Sequence, residues 1–387
     1  MRRIRVWVVV VATFLLALLP NRKIHPSQAM VGIMDANQMW KEWEDVSLRL
    51  LKGEKLEEYF KGLHASRRFN GAVLVAEQGT ILHQGAYGYS HFPSRTPLTL
   101  ESSFQLASVS KVFTAVAVLL LYEEGIIKDL DDELCSYLPG WPYEKMTIRH
   151  LLQHRTGMAR YMAVASWYWK DWKKPMANSD VLHQYVTHDP ITFFRSGRRF
   201  NYCNTNYVIL ASLVEQLSGM SFAEFMKERV FEPLEMEQSM IYSRVHDPEI
   251  PQEAIGYKVG WRGYYRAPND YIDGVVGDKG MYASVMDIFK FDRALTEGRL
   301  LKQSTLHEMA QQGGNRWKSN YGFGWRLKKL DGKKIMYHFG WWRGFRTCYI
   351  RDVEDDRTII ILTNRDHPGR NMKYWNIYHK LESWDVE

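Results

Sequence analysis

The chain predicts an α+β fold: an antiparallel β-sheet flanked by helices, with an all-helical lobe inserted at about residues 108–250. Three observations predict it. Residues 69–76 (FNGAVLVA) and 81–87 (ILHQGAY) are β-prone runs joined by a glycine-containing turn, which is a hairpin signal. From about 108 to 230 the apolar residues recur mainly at helical spacing. Beyond about 253, short runs rich in Gly, Tyr and Ile return, so both ends of the chain supply strands to the sheet.

Taken in order, the first 29 residues read as an export signal. Arg2, Arg3 and Arg5 precede residues 6–19, which are apolar except for Thr13. That run is shorter than the roughly 20 residues a spanning helix needs. Ser27-Gln28-Ala29 offers small residues suited to cleavage. The alternative is an uncleaved anchor, which would keep the protein near a membrane. Residues 35–63 read as an amphipathic, mostly surface-lying helix. Residues 322–327, 334–338, 346–350 and 358–362 read as strands, and 372–384 as a closing helix. Residues 30–387 are therefore expected to form one two-lobed domain.

Composition narrows the function classes. Of 387 residues, 45% are hydrophobic and 25% charged, which excludes wholesale disorder. Three scattered cysteines exclude a disulfide framework and argue against a structural zinc site. The formal charge is +7, but the first 29 residues hold five basic and no acidic residues. Without them the charge is +2, which gives no case for a nucleic-acid partner.

The chemistry concentrates at Ser108-Val109-Ser110-Lys111. Val112, Ala115, Val116, Leu119 and Leu120 follow at helical spacing. Ser108 therefore opens a helix with Lys111 one turn on, on the same face. A serine hydroxyl needs a base, and a lysine held in a dry site can lose its charge and serve. Read alone, the motif is more often a cap and a surface lysine. A second group is Tyr202-Cys203-Asn204: a tyrosine that can relay a proton and an amide that can hold a substrate carbonyl or the lysine. Cys203 reads as buried rather than reactive. A third is His338-Phe339-Gly340, where glycine would let a substrate backbone approach the strand edge.

These motifs in this order resemble the serine β-lactamase and penicillin-binding protein superfamily. The branch is that of class C β-lactamases, DD-peptidases and related esterases, with S-x-x-K, Y-x-N, then K-T-G or H-x-G. Residues 151–158 (LLQHRTGM), 277–284 (GDKGMYAS) and 321–325 (YGFGW) resemble flanking segments of that family. The resemblance runs from about 65 to 365. It implies Ser108 as nucleophile, Lys111 as base, Tyr202 as proton relay, and substrate contacts from Asn204, His338, Gly340 and Trp341. An oxyanion hole would use the amides of Ser108 and of Trp341 or Trp342. His154 falls at a position that looks structural in the family. No metal or organic cofactor is implied.

Exported hydrolysis of D-alanyl cell-wall-type amides or esters is the expected activity. The alternatives are a class C-type β-lactamase or a catalytically weak penicillin-binding protein. Phe339 stands where penicillin-recognising members usually carry a hydroxyl for the substrate carboxylate. Trp341 and Trp342 are expected to narrow the site, and Arg343 is a replacement carboxylate contact. Trp167, Tyr168, Trp169 and Trp172 read equally as an active-site lid, as packing, or as an interfacial belt.

Overall fold

The computed structural model describes residues 36–261, 263–313, 319–366 and 374–384; the expected export segment lies outside them. The chain divides into two compact units, Met1–Arg49 and Leu50–Glu387, with the boundary inside helix α1 (Ala36–Ala65). Among the described residues no single helix is long and apolar enough to cross a membrane.

A six-stranded antiparallel sheet organises the second unit. Its strands are β1 (Gly71–Glu77), β2 (Thr80–Tyr87), β3 (Arg326–Leu330), β4 (Lys333–Trp342), β5 (Phe345–Asp352) and β6 (Arg357–Thr363). They lie in the order β3-β4-β5-β6-β1-β2, so β1 pairs with β6, Gly71 opposite Thr363. The expected strand over 322–327 begins only at Arg326, because the preceding Gly322–Trp325 segment is a tight turn.

Between the two groups of strands run α2 (Ser110–Glu123), α3 (Ile148–Leu152), α4 (Tyr161–Tyr168), α5 (Asn178–His188), α6 (Thr205–Ser218), α7 (Phe222–Met226), α8 (Val285–Thr296) and α9 (Gln303–Met309); α10 (Tyr374–Trp384) closes the described chain. Local chemistry sets several ends. The Thr147 and Ser284 hydroxyls accept backbone N–H bonds at the starts of α3 and α8. Gly219, left-handed at φ +71, ends α6.

Both faces of the sheet are covered. Ala72, Leu74, Ile360 and Leu362 pack with α2, α6 and α8 in the larger core. Val73, Val75, Ile359 and Ile361 face the other way, against Leu56 and Phe60 of α1 and Ile377 and Leu381 of α10. This is why 72–76 and 359–362 are unbroken apolar runs instead of alternating ones. Strand β4 divides in the same way. Met336, His338, Gly340 and Trp342 face the helical core, while Ile335, Tyr337, Phe339 and Trp341 face the opposite side.

Candidate active site

Ser108 lies in a one-turn 3-10 segment, Ala107–Val109, that runs directly into α2. It is the one residue between 102 and 119 that is not buried. The turn is strained: Ala107 holds φ +51, a left-handed conformation that costs an L-residue roughly 1–2 kcal/mol. The bonds of the preceding residue hold it there. Leu106 donates its amide to the Met281 carbonyl at 2.8 Å and accepts the Thr347 hydroxyl at 2.7 Å. Lys111 is fully buried, and its Nζ lies 3.3 Å from Ser108 Oγ and 2.6 Å from the Asp278 carbonyl oxygen. The predicted i, i+3 juxtaposition is therefore present.

The Tyr202 loop reaches this pair from the start of α6. Lys111 Nζ sits 5.3 Å from the centre of the Tyr202 ring and 5.8 Å from that of Tyr207. His154 holds the loop in place. Its carbonyl accepts the Asn201 amide at 2.8 Å, and its Nδ1 lies 3.3 Å from the Cys203 amide and 3.1 Å from Asn206 Nδ2. Since the Cys203 amide donates, Nδ1 is the unprotonated nitrogen. The His154 and Tyr202 rings are 4.3 Å apart. Burial, then the Lys111 charge, hold the His154 imidazole well below its ordinary pKa, so it stays neutral. This agrees with a structural His154. Asn204 caps α6 without a side-chain cap bond, and its buried Oδ1 has no partner among the described residues. Cys203 is buried, and burial raises its thiol pKa, as expected of an unreactive cysteine.

The third group sits on β4, whose edge runs free of β3 beyond the Arg326–Tyr337 pair. Trp342 and Phe345 flank a two-residue turn, with Arg343 at φ +44 and Gly344 at φ +90. Such a turn closes on a hydrogen-bonded pair. Trp342, Gly340 and His338 therefore bond to β5, and the Phe339 and Trp341 amides point to the open edge. Of the two tryptophan amides, that of Trp341 is therefore the one on the open edge.

A family profile described as Beta-lactamase matches residues 56–382. The chain is 35% identical over 332 residues to penicillin-binding protein 4* of Bacillus subtilis (strain 168), covering 81% of this chain and 72% of that protein. It is 30% identical over 299 residues to a D-aminopeptidase of Brucella anthropi, covering 75% of this chain and 55% of that protein. It thus spans about half the length of that relative. Among solved structures, an octameric penicillin-binding protein homologue from Pyrococcus abyssi matches with TM-score 0.72 and 23% identity, over 86% of this chain and 77% of that one. The D-amino acid amidase of Ochrobactrum anthropi SV3, complexed with L-phenylalanine amide, matches with TM-score 0.69 and 21% identity, over 88% and 98%.

The chain belongs to the β-lactamase family. It is a serine hydrolase of that family, and the expected α+β architecture is the one found.

Several expectations for this β-lactamase-family site need correction. Gly340 does not open the edge to substrate. A Cβ there would lie 2.3 Å from the Leu106 carbonyl oxygen and 2.1 Å from Thr347 Oγ1, so the glycine admits the protein's own nucleophile turn. His338 is 1% exposed, too deep to line the surface of the cleft. Its Nε2 pairs with the Tyr321 hydroxyl at 3.1 Å and its Nδ1 with the Phe339 carbonyl at 3.0 Å. Burial, then the Lys111 and Arg326 charges, keep it neutral. The Trp341 side chain is on the wrong face: 62% exposed, it donates to Asp366 at 2.8 Å and lies 4.0 Å from the Arg346 guanidinium. Phe339 also points away from the catalytic face, its ring 5.0 Å from Tyr374. Arg343 is occupied by Asp273 and Asp270, at 2.9 and 2.6 Å. Trp342 alone of the two tryptophans lies on the catalytic face, tied to Asp273 at 2.7 Å.

The four clustered aromatics do not act as one unit. Trp169 packs on the core, Tyr168 stacks on His188, Trp172 meets Tyr271 edge-on, and Trp167 is exposed. Sequence reasoning gave no role to Tyr321, to Arg326, whose guanidinium lies 5.1 Å from the centre of the Tyr202 ring, or to the Asp278 carbonyl. Tyr321 and Asp278 stand inside segments noted only for their resemblance.

Proposed function

We propose that the protein hydrolyses D-configured amide or peptide bonds of the D-alanyl cell-wall type through a Ser108 acyl-enzyme. The observation that carries this reading is the buried Lys111 amine group held between Ser108 Oγ and the Asp278 carbonyl. In its amine form Lys111 donates one N–H to that carbonyl and turns its lone pair to Ser108. It takes the Ser108 proton as Oγ bonds to the substrate carbonyl carbon. The resulting oxyanion is received by the amides of Ser108 and Trp341. The carbonyl re-forms, the bond to the leaving group breaks, and Tyr202 relays the proton held by Lys111 to the departing amine. Water then gives a proton through Tyr202 to Lys111 as its oxygen bonds to the acyl carbon, the ester bond to Oγ breaks, and Ser108 takes that proton back as it leaves.

The relatives named as a D-aminopeptidase and a D-amino acid amidase support the D-configuration. The basic, apolar first 29 residues support export, with membrane proximity if that segment is retained.

The test uses wild-type and Ser108→Ala protein with a fluorophosphonate and a fluorescent penicillin, followed by turnover of a D-Ala-D-Ala peptide, a D-alanine amide, a p-nitrophenyl ester and nitrocefin. Labelling and turnover should vanish in Ser108→Ala, with the D-amides hydrolysed best. Equal labelling of both proteins would refute the nucleophile. Fastest turnover of nitrocefin would make the protein a β-lactamase.

A further inference from the structure

A second lysine is buried beside the first and has no place in the reaction just described. Lys279 is 4% exposed. Its Nζ donates to the Tyr161 hydroxyl at 3.0 Å and to the Val275 carbonyl at 2.9 Å, and lies 3.5 Å from the Asp278 carboxylate. The Tyr161 hydroxyl in turn donates a hydrogen bond to Asp278 Oδ2 at 3.4 Å. The Trp342 ring, its centre 5.4 Å from Nζ, covers the ammonium from β4. All three polar groups are 4% exposed or less. A buried charge on this scale persists only when paired, so Lys279 and Asp278 require one another.

The loop that carries this pair is also the loop that docks on α2. Thr114 Oγ1 donates to the Gly277 carbonyl at 2.7 Å, Lys111 donates to the Asp278 carbonyl at 2.6 Å, and the Met281 amide donates to Ser110 Oγ at 3.3 Å. Gly277, at φ +97, fits because a Cβ would lie 2.4 Å from the Tyr207 carbonyl oxygen of α6. One residue, Asp278, thus meets Lys111 through its carbonyl and Lys279 through its carboxylate.

We infer that Lys279 is a positioning residue for the proposed Ser108 reaction: it neutralises the Asp278 carboxylate and, with Tyr161, fixes the carbonyl that aims Lys111. An uncompensated Asp278 carboxylate would stabilise the Lys111 ammonium and remove the base. With Lys279 in place its charge is cancelled, and the lysine can cycle between amine and ammonium. The inference rests on Lys111 acting as the base. The charged and titratable groups around the pair are Tyr161 from α4, Asp278 itself, and Asp273 and Asp270 with Arg343 beyond Trp342. Around Lys111 they are Tyr202, Tyr207, His154, His338 and Arg326.

The test measures the pH dependence of kcat/KM on the best D-amide substrate, together with fluorophosphonate labelling, for wild type, Lys279→Met, Lys279→Met/Asp278→Asn and Tyr161→Phe. In Lys279→Met the acid limb should move up by about one pH unit, with kcat at pH 7 down about tenfold and KM within about twofold. Adding Asp278→Asn should bring the limb back, because the carboxylate that caused the shift is gone. A purely structural role cannot produce that reversal. Tyr161→Phe keeps the ring and should shift the limb in the same direction by less, and it carries the test if Lys279→Met does not fold. An unmoved acid limb in folded Lys279→Met or Tyr161→Phe overturns the inference, as does a shift that Asp278→Asn fails to reverse. Wild-type protein that neither labels nor turns over would instead overturn the Ser108 reading itself.

Discussion

The two sides of β4 put neighbouring residues to different uses. On one side His338, Gly340 and Trp342 lie against the nucleophile turn, the Tyr321 hydroxyl and the Asp273 carboxylate. On the other side Phe339 packs on α10 and Trp341 lies at the surface over Arg346. A contiguous motif is therefore two separate interfaces, and the backbone edge between them is where the proposed reaction places its strand amide. Proximity in sequence to Gly340 says little about which interface a side chain joins when a pleat reverses its direction.

Substitutions along the strand should separate the two sides. Gly340→Ala should have the largest effect. The new Cβ cannot coexist with the Leu106 carbonyl, so the Ser108 turn must shift. Displacement of about 1 Å costs on the order of 100-fold in rate, and kcat/KM on an acyl substrate should fall by at least that much. Phe339→Ala, one residue away, should cost about 2 kcal/mol, below the usual core value because the ring is only half buried. Its kcat per folded molecule should not change, as urea titration and active-site labelling will show. A hundredfold loss of kcat would place Phe339 on the catalytic side after all.

His338 sharpens the comparison through pH. The folded protein keeps this imidazole neutral, whereas the unfolded chain protonates it near pH 6.5. Acid therefore favours the unfolded chain. The stabilisation is complete above about pH 6.5 and is lost as pH falls below it, at about 1.4 kcal/mol per pH unit. His338→Gln should lower the slope of unfolding free energy against pH between about 5 and 6.5 by that amount; an unchanged slope would mean that the histidine is protonated in the fold. Trp341→Ala should do least. An exposed cation–π contact is worth about 0.5–1 kcal/mol, and turnover should hold because the strand edge offers the backbone amide, not the indole. Loss of turnover in a folded Trp341→Ala protein would show the indole reaching substrate.

Much of this was legible in the sequence for reasons of local geometry. The nearness of Ser108 to Lys111 needed only helical spacing, their reading as a catalytic pair needed the family resemblance, and the paired strands at each end needed only their apolar runs and glycine turns. What stayed hidden depended on distant residues. The part played by Gly340 stays hidden because the turn it admits belongs to Leu106 and Ala107, far away in the chain but adjacent in space. That the side chains of Phe339 and Trp341 lie on the face away from the site stays hidden because no local pattern states which face of β4 meets the helical core, and Arg343 is taken up by Asp270 and Asp273 from a distant segment. Lys279 and Tyr161 are 118 positions apart, and nothing near either one announces a shared carboxylate.

The pairing of β1 with β6 has a consequence for how the enzyme comes into being. Asn70 bonds Asn364 across 294 positions, and Glu77 meets Arg357 across 280. The second and third neighbours of β4 in the sheet, β6 and β1, are thus the last and first of its strands to be made. During synthesis the first hairpin waits, one long edge unfilled, until nearly the whole chain has emerged. High contact order of this kind slows folding, and a ribosome that stops before β6 leaves β3, β4 and β5 with no strand to join them to the first hairpin.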